Sequence, residues 1–309
     1  MKNIFLRRIL IISFLIFILF WILATFRHSL LQSNAYDLGL FDQWIWLVSN
    51  GLKPVSSMEK VHLLADHAAW TLYLGAIFYR FHPSLQWLFA SQSFALAFTA
   101  LPLALVGMQA GLSKRLCWLI CGLWWLQPVV FNVNLFDFHP EVLGMPLLAA
   151  TYFFQRSNRP LIWFFSLFIF LGFRDGLVLV VLGIGLENLF RKKWYWSFAA
   201  IGLACGWLAI LNKLLYPSFS GVSTGPKAVS SLFSYLGSSF DEVTYNLFTK
   251  PQLLIFNVDW IGGLIYIVLI SIALVPFFRS SSLPVLLGAL PLVFVNFISE
   301  QAPQRTLIH

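Results

Sequence analysis

Charged residues are scarce in this chain. Only 10% of its 309 residues are Asp, Glu, Lys or Arg, whereas a soluble domain carries about 25%. Hydrophobic residues make up 59%, which is more apolar surface than a single soluble core of this length is expected to bury. The composition therefore argues against a soluble domain and predicts an integral membrane protein in contact with the lipid bilayer.

Cysteine is equally rare, with three residues in the chain. All three lie in apolar segments, and Cys117 and Cys121 are four apart on one helix face. This spacing fits neither a disulfide framework nor a redox Cys-x-x-Cys pair. We therefore expect buried, unreactive thiols.

Nucleotide-binding and zinc-protease signatures are missing. The chain has no P-loop, no Gly-x-Gly-x-x-Gly segment after a strand and no His-Glu-x-x-His segment, so cytoplasmic nucleotide chemistry has no evident place in it. The net charge is +8, but no basic run exceeds Arg191-Lys192-Lys193. We interpret this charge as loop charge that orients helices, and we expect no nucleic-acid partner.

Long apolar runs fill most of the chain. Residues 9–26 carry no charge and approach the ~20 residues needed to span a bilayer, and no small-residue cleavage site follows them. They predict a retained first helix, with the basic residues Lys2, Arg7 and Arg8 in the cytoplasm. Further predicted spans bring the total to about nine; they cover residues 85–108, 116–133, 142–154, 161–172, 176–190, 195–215, 253–278 and 283–298.

The predicted architecture is all-α, a polytopic bundle forming a single membrane domain over residues 1–309, with two large outer loops. The first loop, residues 27–83, is long enough to carry structure. The second, residues 216–252, is rich in Ser, Gly and Pro. Residues 300–309 follow the last span and are interpreted as the start of a further outer segment, so the chain is expected to be C-terminally truncated.

Two helices are predicted inside the first outer loop. One covers residues 38–49 and ends at Asn50-Gly51, because four apolar residues there recur at helical spacing; they are Leu38, Phe41, Ile45 and Val48. This amphipathic helix could lie in the plane of the membrane interface. The other covers residues 66–81 and is stopped by His82-Pro83.

Acidic residues fall on one side of this layout. The predicted inner loops are all basic, as the positive-inside rule requires, and Glu187 is the one acid near them. The other acids and all six His fall on the outer side. We interpret this asymmetry as the mark of an outward-facing polar site, and the alternative is a general preference of outer loops for acids.

The segment 161–190 has two interpretations. Two short helices could meet on the outer face at Arg174-Asp175-Gly176, or one long helix could bury an Arg–Asp pair in mid-membrane. The second arrangement is costly. We favour two helices because both flanks of the segment are basic.

Asp37 and Asp42 are the first candidates for chemistry. They are five residues apart, about 140° around a helix, so they do not share a face. Asp37 could cap the helix. Asp42 lies in mid-helix on a narrow polar strip with Gly39 and Ser49, where an acid could face a cavity and act as a base or metal ligand. We assign both as catalytic candidates.

Further candidates lie at Asp66-His67 and Arg174-Asp175. The first pair either caps a helix or presents a carboxylate and an imidazole together to the outer face. The second is either a charge pair between two short helices or a phosphate site, since guanidinium matches phosphate bidentately. Arg80 could also bind phosphate or extend to the interface. All five are assigned to substrate binding.

Asp137, His139 and Glu141 form the third group. His139 precedes a proline and is pushed toward an extended conformation, so Asp137 and His139 are expected to share a side. Pro140 suits the first turn of the next helix, and Glu141 is favoured there by the helix dipole. The three could ligate a divalent cation, or bind a polar headgroup. We assign them as metal ligands for Mg²⁺ or Mn²⁺.

These motifs together resemble a bacterial membrane family known as domain of unknown function 2079. The resemblance spans most of the chain in order, and Asp137-Phe138-His139-Pro140-Glu141 is its most specific segment. The other matching segments are Tyr36-Asp37-Leu38-Gly39, Phe41-Asp42-Gln43, Asp66-His67, Leu135-Phe136 and, more loosely, Arg174-Asp175 and Tyr235-Leu236-Gly237. Many relatives have adjacent acids where this chain has Arg174-Asp175, which puts a metal role for that turn in doubt.

The resemblance implies a fold and an activity. The family is grouped with the integral-membrane glycosyltransferases of the C-type fold, in which the first outer loop carries a catalytic acid. The resemblance thus implies transfer of a sugar from a polyprenyl-phosphate carrier at the outer face of the bacterial plasma membrane. Asp37 or Asp42 would be the base or metal ligand, and Arg80 and Arg174 would neutralise phosphate.

Two other functions fit the same sequence. A lipid-carrier or solute transporter would explain the short, interrupted helices at 142–154 and 172–176. An inactive structural membrane protein would explain a chain that stops early. The sugar donor and acceptor are not specified by the residues.

Overall fold

The computed structural model describes residues 2–220, 232–272, 279–301 and 305. Within these ranges the chain is helical, and its extended pairing is limited to one antiparallel bridge between Val55 and His62. The all-α prediction is confirmed for the described part of the chain. The α-helices are α1 Lys2–Ser29, α2 Ala35–Ser49, α3 Leu63–Asp66, α4 Leu72–Phe81, α5 Gln86–Phe98, α6 Ala100–Gln109, α7 Lys114–Leu126, α8 Pro128–Leu135, α9 Met145–Arg156, α10 Pro160–Leu171, α11 Val178–Phe190, α12 Trp194–Ile210, α13 Tyr216–Ser220, α14 Phe240–Thr249, α15 Gln252–Asn257, α16 Trp260–Ile272 and α17 Leu283–Ile298.

Short irregular helical turns separate several of these helices. Three are 3-10 turns, at Pro140–Gly144, Asp175–Leu177 and Ser280–Ser282, and one is a π-helical turn, at Leu211–Leu215. The turn at Asp175–Leu177 separates α10 from α11, as the two-helix interpretation of residues 161–190 predicts.

Three described helices are long and apolar enough to cross a bilayer. They are Ile4–Ser29, Gln86–Gln109 and Trp194–Phe219, and they match the predicted spans 9–26, 85–108 and 195–215. The chain is therefore a membrane protein with at least these candidate spans. Shorter apolar helices account for other predicted spans, and the total of about nine remains a prediction.

The predicted span 116–133 is bent. α7 and α8 meet at 42° and together are long and apolar enough for a fourth span. The bend lies at Gln127, whose backbone is extended (φ −65°, ψ 126°), because a residue before proline disfavours the helical conformation. Pro128 then begins α8, where its missing N–H costs nothing.

One other predicted helix is interrupted, and one predicted loop contains helix. The predicted span 253–278 is divided at Val258, where α15 ends, and α16 follows from Trp260; residues 273–278 lie outside the described residues. The predicted second outer loop, 216–252, also contains helix: α13 begins at Tyr216 and α14 covers Phe240–Thr249.

The prediction of one helix over residues 66–81 is wrong for its first half. Ala68 has a positive φ of 50°, a conformation that breaks a helix and that non-glycine residues rarely adopt. α4 therefore starts at Leu72. The start of α4 is fixed by Thr71, whose backbone N–H and Oγ1 hydroxyl both donate to the carbonyl oxygen of Gly172, at 3.1 and 2.8 Å.

The contacts divide the chain into two compact units. Unit 1 comprises Met1–Leu63 and Ala69–Arg174, and unit 2 comprises Leu64–Ala68 and Asp175–His309. In unit 1, α2 packs against α4 and α1 against α5. The predicted apolar face of α2 is confirmed, since Leu38, Phe41 and Ile45 are buried in this core.

Unit 2 is built around α11, which packs against α12 and α17. Glycines let these helices approach closely: a Cβ on Gly183 would lie 2.1 Å from the carbonyl oxygen of Gly288 on α17. Glu187, the one acid predicted on the inner side, is buried on α11 and accepts from Arg191 Nε at 2.9 Å. A partner four residues along the same helix thus compensates its charge.

Candidate functional site

Asp42 lies on the face of α2 that meets α4. Its Oδ1 accepts a hydrogen bond from the Tyr79 hydroxyl at 2.8 Å, and Tyr79 is buried. Burial raises the pKa of Tyr79, and the negative charge and hydrogen bond of Asp42 raise it further. The phenol therefore stays protonated at neutral pH and holds one carboxylate oxygen of Asp42 in place.

Asp37 is not the cap of α2. The N-cap is Asn34, whose side chain accepts from the backbone N–H of Tyr36 at 2.8 Å. Asp37 lies in the first turn of the helix, where a negative charge is favoured by the helix dipole. Among the described residues no hydrogen bond or ion pair engages the Asp37 carboxylate, and its side chain is partly exposed.

Asp137 is the most deeply buried acid of unit 1, with no side-chain exposure. Its Oδ1 lies 3.2 Å from Arg27 Nη1, at the end of α1. Its Oδ2 accepts from the backbone N–H of Asn34 at 2.6 Å. One carboxylate thus joins the end of α1, the cap of α2 and the segment after α8.

The neighbours of Asp137 face other partners. His139 is extended as predicted (φ −133°, ψ 118°), and its Nδ1 lies 2.8 Å from the carbonyl oxygen of Asp137. Its backbone N–H donates to Gln92 Oε1 at 2.9 Å. Glu141 forms an ion pair with Arg174.

The structure does not bring Asp137, His139 and Glu141 together as one ligand set. Across residues 2–220, 232–272, 279–301 and 305, no three His, Cys, Asp or Glu side chains form a group able to hold a metal ion. Arg27 and Arg174 occupy the positions that a cation would take beside the two carboxyl groups of this set. A requirement for Mg²⁺ or Mn²⁺ stays a prediction.

Asp66, His67 and Asp175 do come together, in unit 2. Asp66 Oδ2 lies 3.2 Å from His67 Nε2, and each side chain is 22% exposed. The carbonyl oxygen of His67 accepts from the backbone N–H of Asp175 at 2.9 Å. Two segments that are far apart in the sequence thus present a carboxylate–imidazole pair beside a second carboxylate.

Tyr216 completes this cluster. Its hydroxyl donates to Asp175 Oδ2 at 2.9 Å, while Asp175 Oδ1 accepts from the backbone N–H of Gly176 at 2.8 Å. Both oxygens of Asp175 therefore have fixed donors. Tyr216 is 3% exposed and follows directly after the π-helical turn Leu211–Leu215, a feature that often occurs at functional sites.

The cluster in unit 2 can perform acid–base chemistry. A carboxylate that contacts one imidazole nitrogen orients the ring and supports its positive charge. Asp175 and Tyr216 hold each other in place beside this carboxylate–imidazole pair.

Sequence reasoning missed three residues that hold these acids. Arg27, Tyr79 and Tyr216 each contact a predicted site residue. The sequence did contain a signal for Arg27, because it lies at the end of a predicted helix. A cation there is stabilised by the helix dipole and needs an anion when it is partly buried. The two tyrosines carried no signal in their own neighbourhood.

The looser family-like segment Tyr235-Leu236-Gly237 lies elsewhere in unit 2. The Tyr235 hydroxyl donates to the carbonyl oxygen of Ile298 at 2.7 Å. Burial raises the pKa of Tyr235 to about 12, with a further contribution from Glu300 that Arg305 opposes. This segment therefore ties the end of α17 to the residues before α14.

Comparison with known proteins places the chain in a family of membrane proteins. A family model described as a predicted membrane protein, domain of unknown function 2079, matches residues 27–309. The chain belongs to this family. No curated protein matches it, and no solved structure matches it. The description of the family thus supports the membrane character of the chain.

Proposed function

We propose that this protein is a glycosyltransferase-like enzyme of the bacterial plasma membrane, with its N-terminus in the cytoplasm. It transfers a sugar from a polyprenyl-phosphate donor to a hydroxyl acceptor at the outer face. The observation that supports this proposal is the cluster in unit 2, where the Asp66–His67 pair lies beside a fixed carboxylate. The outward grouping of acids in the sequence is compatible with the same reaction.

The proposed step needs one base. His67 takes the proton of the acceptor hydroxyl, and Asp66 supports the resulting imidazolium. The acceptor oxygen forms a bond to the anomeric carbon as the bond from that carbon to the carrier phosphate breaks. The carrier phosphate leaves with the electron pair. Asp37 and Asp42 remain alternative bases, and Arg80 and Arg174 remain candidates for contacting the phosphate.

Turnover of labelled donors tests this proposal. The full chain, purified in detergent, is incubated with radiolabelled polyprenyl-phosphate sugars, with and without Mn²⁺ or Mg²⁺, and released sugar is counted. We expect His67→Gln and Asp66→Asn each to lower release by about 10²–10⁴-fold, since that is the usual contribution of a positioned base. His82→Gln is the matched control, because its exposed ring lies outside the cluster and should leave release unchanged.

The other outcomes are equally informative. Loss of release in Asp42→Asn, with His67→Gln unaffected, would move the base to α2 and refute our assignment of His67. Absence of release with every donor, from a sample that unfolds cooperatively, would contradict the transferase. Dependence on added Mn²⁺ or Mg²⁺ would establish the predicted cation.

Interrupted helices support a second candidate function, transport of a lipid or solute. α7 and α8 meet at 42°, and the turns Asp175–Leu177 and Leu211–Leu215 interrupt two further apolar segments. Discontinuous helices of this kind build binding sites in transporters. Movement of a labelled polyprenyl-phosphate sugar across reconstituted vesicles, with its chemical structure unchanged, would support carriage over transfer.

A further inference from the structure

One apolar surface of unit 1 is uncovered in this structure. α4 buries Leu72, Ala76 and Tyr79 against α2 and the core. Its opposite face is apolar as well, and its members recur at intervals of three or four residues, so they form one stripe. They are Tyr73, Leu74, Ile77, Phe78 and Phe81, with exposures of 36%, 59%, 57%, 52% and 83%.

The position of α4 in the chain identifies what this stripe faces. With 10 residues, α4 is about 15 Å long, too short for the ~30 Å hydrocarbon core. The candidate span Gln86–Gln109 begins only a few residues after Phe81. The end of α4 is therefore tied to the membrane surface, where an apolar stripe rich in Tyr and Phe is suited to the interface.

A groove opens beside this stripe. It lies between α2 and α4, has a volume of about 340 Å³ and is lined mainly by apolar side chains of both helices, Ile77 and Phe81 among them. Its polar members include Ser49 and Arg80. Its apolar walls and charged rim match the two chemical parts of an amphiphile.

Arg80 supplies the charge at the rim. Its side chain is exposed, and one Nη1–H reaches the Ser49 carbonyl oxygen at 3.4 Å. Within the part of the chain that the structure describes, no Asp or Glu forms an ion pair with Arg80. A guanidinium has five N–H donors, so Arg80 keeps donors for a ligand in the groove.

We infer that α4 lies in the membrane interface and that the α2–α4 groove binds an anionic phospholipid of the bilayer. Arg80 donates to the lipid phosphate, which guanidinium matches bidentately. Ile77 and Phe81 contact the upper part of the acyl chains. Arg80 is also a candidate for contacting the carrier phosphate in the proposed reaction, but lipid binding is measured without a sugar donor and is therefore tested separately.

Lipid retention measured by native mass spectrometry tests this inference. The full chain is released from nanodiscs of phosphatidylglycerol or of phosphatidylcholine, and bound lipids are counted during titration. We expect Arg80→Gln to bind phosphatidylglycerol about fivefold more weakly, since a basic side chain near an anionic membrane surface contributes ~1 kcal/mol. Phosphatidylcholine binding should change less. Lys60→Gln, an exposed cation of the same predicted loop, should match the wild-type protein.

A second variant separates the headgroup from the chains. Ile77→Asn changes a side chain that is 57% exposed, so the fold should tolerate it, and we expect weaker binding of both lipids. Equal phosphatidylglycerol binding by Arg80→Gln and the wild-type protein would overturn the headgroup site. Unchanged binding by Ile77→Asn would overturn the contact with the acyl chains.

Discussion

Replacing Asp137 with Asn should lower the free energy of unfolding by about 2–4 kcal/mol, because the change leaves Arg27 without its buried counter-charge. The Asp137 side chain has no exposure, and that of Arg27 has 23%. We therefore expect a slightly smaller loss of unfolding free energy than for a fully buried ion pair. The measurement is unfolding of the purified protein in mixed micelles by titration with a denaturing detergent.

A double-variant cycle identifies the cause of the loss. Arg27→Gln combined with Asp137→Asn removes both charges and keeps two amides that can hydrogen-bond, so more than half of the stability should return. Asp37→Asn is the control, because the carboxylate of a first-turn acid contributes only about 0.3–1 kcal/mol. If the double variant is no more stable than Asp137→Asn alone, the ion pair is not what Asp137 stabilises.

Replacing Gly183 with Ala should lower the free energy of unfolding by about 1–3 kcal/mol, the usual cost of overpacking a core. The new Cβ would meet the carbonyl oxygen of Gly288 at 2.1 Å and its Cα at 2.9 Å. These are backbone atoms of α17 and cannot rotate away as a side chain would. α11 and α17 must therefore separate, which loses packing along both helices.

Gly202→Ala is the matched control for this prediction. Gly202 lies in the interior of α12, and nothing comes within 4 Å of the position that its Cβ would take. Alanine favours helix over glycine by up to about 1 kcal/mol, so Gly202→Ala should be neutral or stabilising. Equal stability of the two alanine variants would show that α11 and α17 do not depend on the glycine contact.

Local pattern predicted much of the helical layout correctly. The period of Leu38, Phe41 and Ile45 predicted α2 and its buried face, and the proline after His82 predicted the end of α4. The flanking basic residues predicted a break near Arg174. Each of these signals lies within a few residues of the feature it predicts, so no knowledge of distant contacts was needed.

Prediction failed where a distant contact overrode local preference. The apolar run after Asp66 is compatible with one helix, but Thr71 donates twice to Gly172 and Ala68 takes a positive φ. The segment 137–141 was predicted to hold a divalent cation, and that role stays a prediction. Its two carboxylates pair with Arg27 and Arg174, both of which are remote in sequence.

The sequence by itself determined that this is a helical membrane protein, because composition and periodicity depend on the residues near each position. Only the tertiary structure decided which acids meet which partners. Asp42 reaches Tyr79 on another helix, and Asp175 lies beside Tyr216 and the backbone of His67. Such contacts depend on how helices cross and where they break, and the residues near each acid do not contain that information.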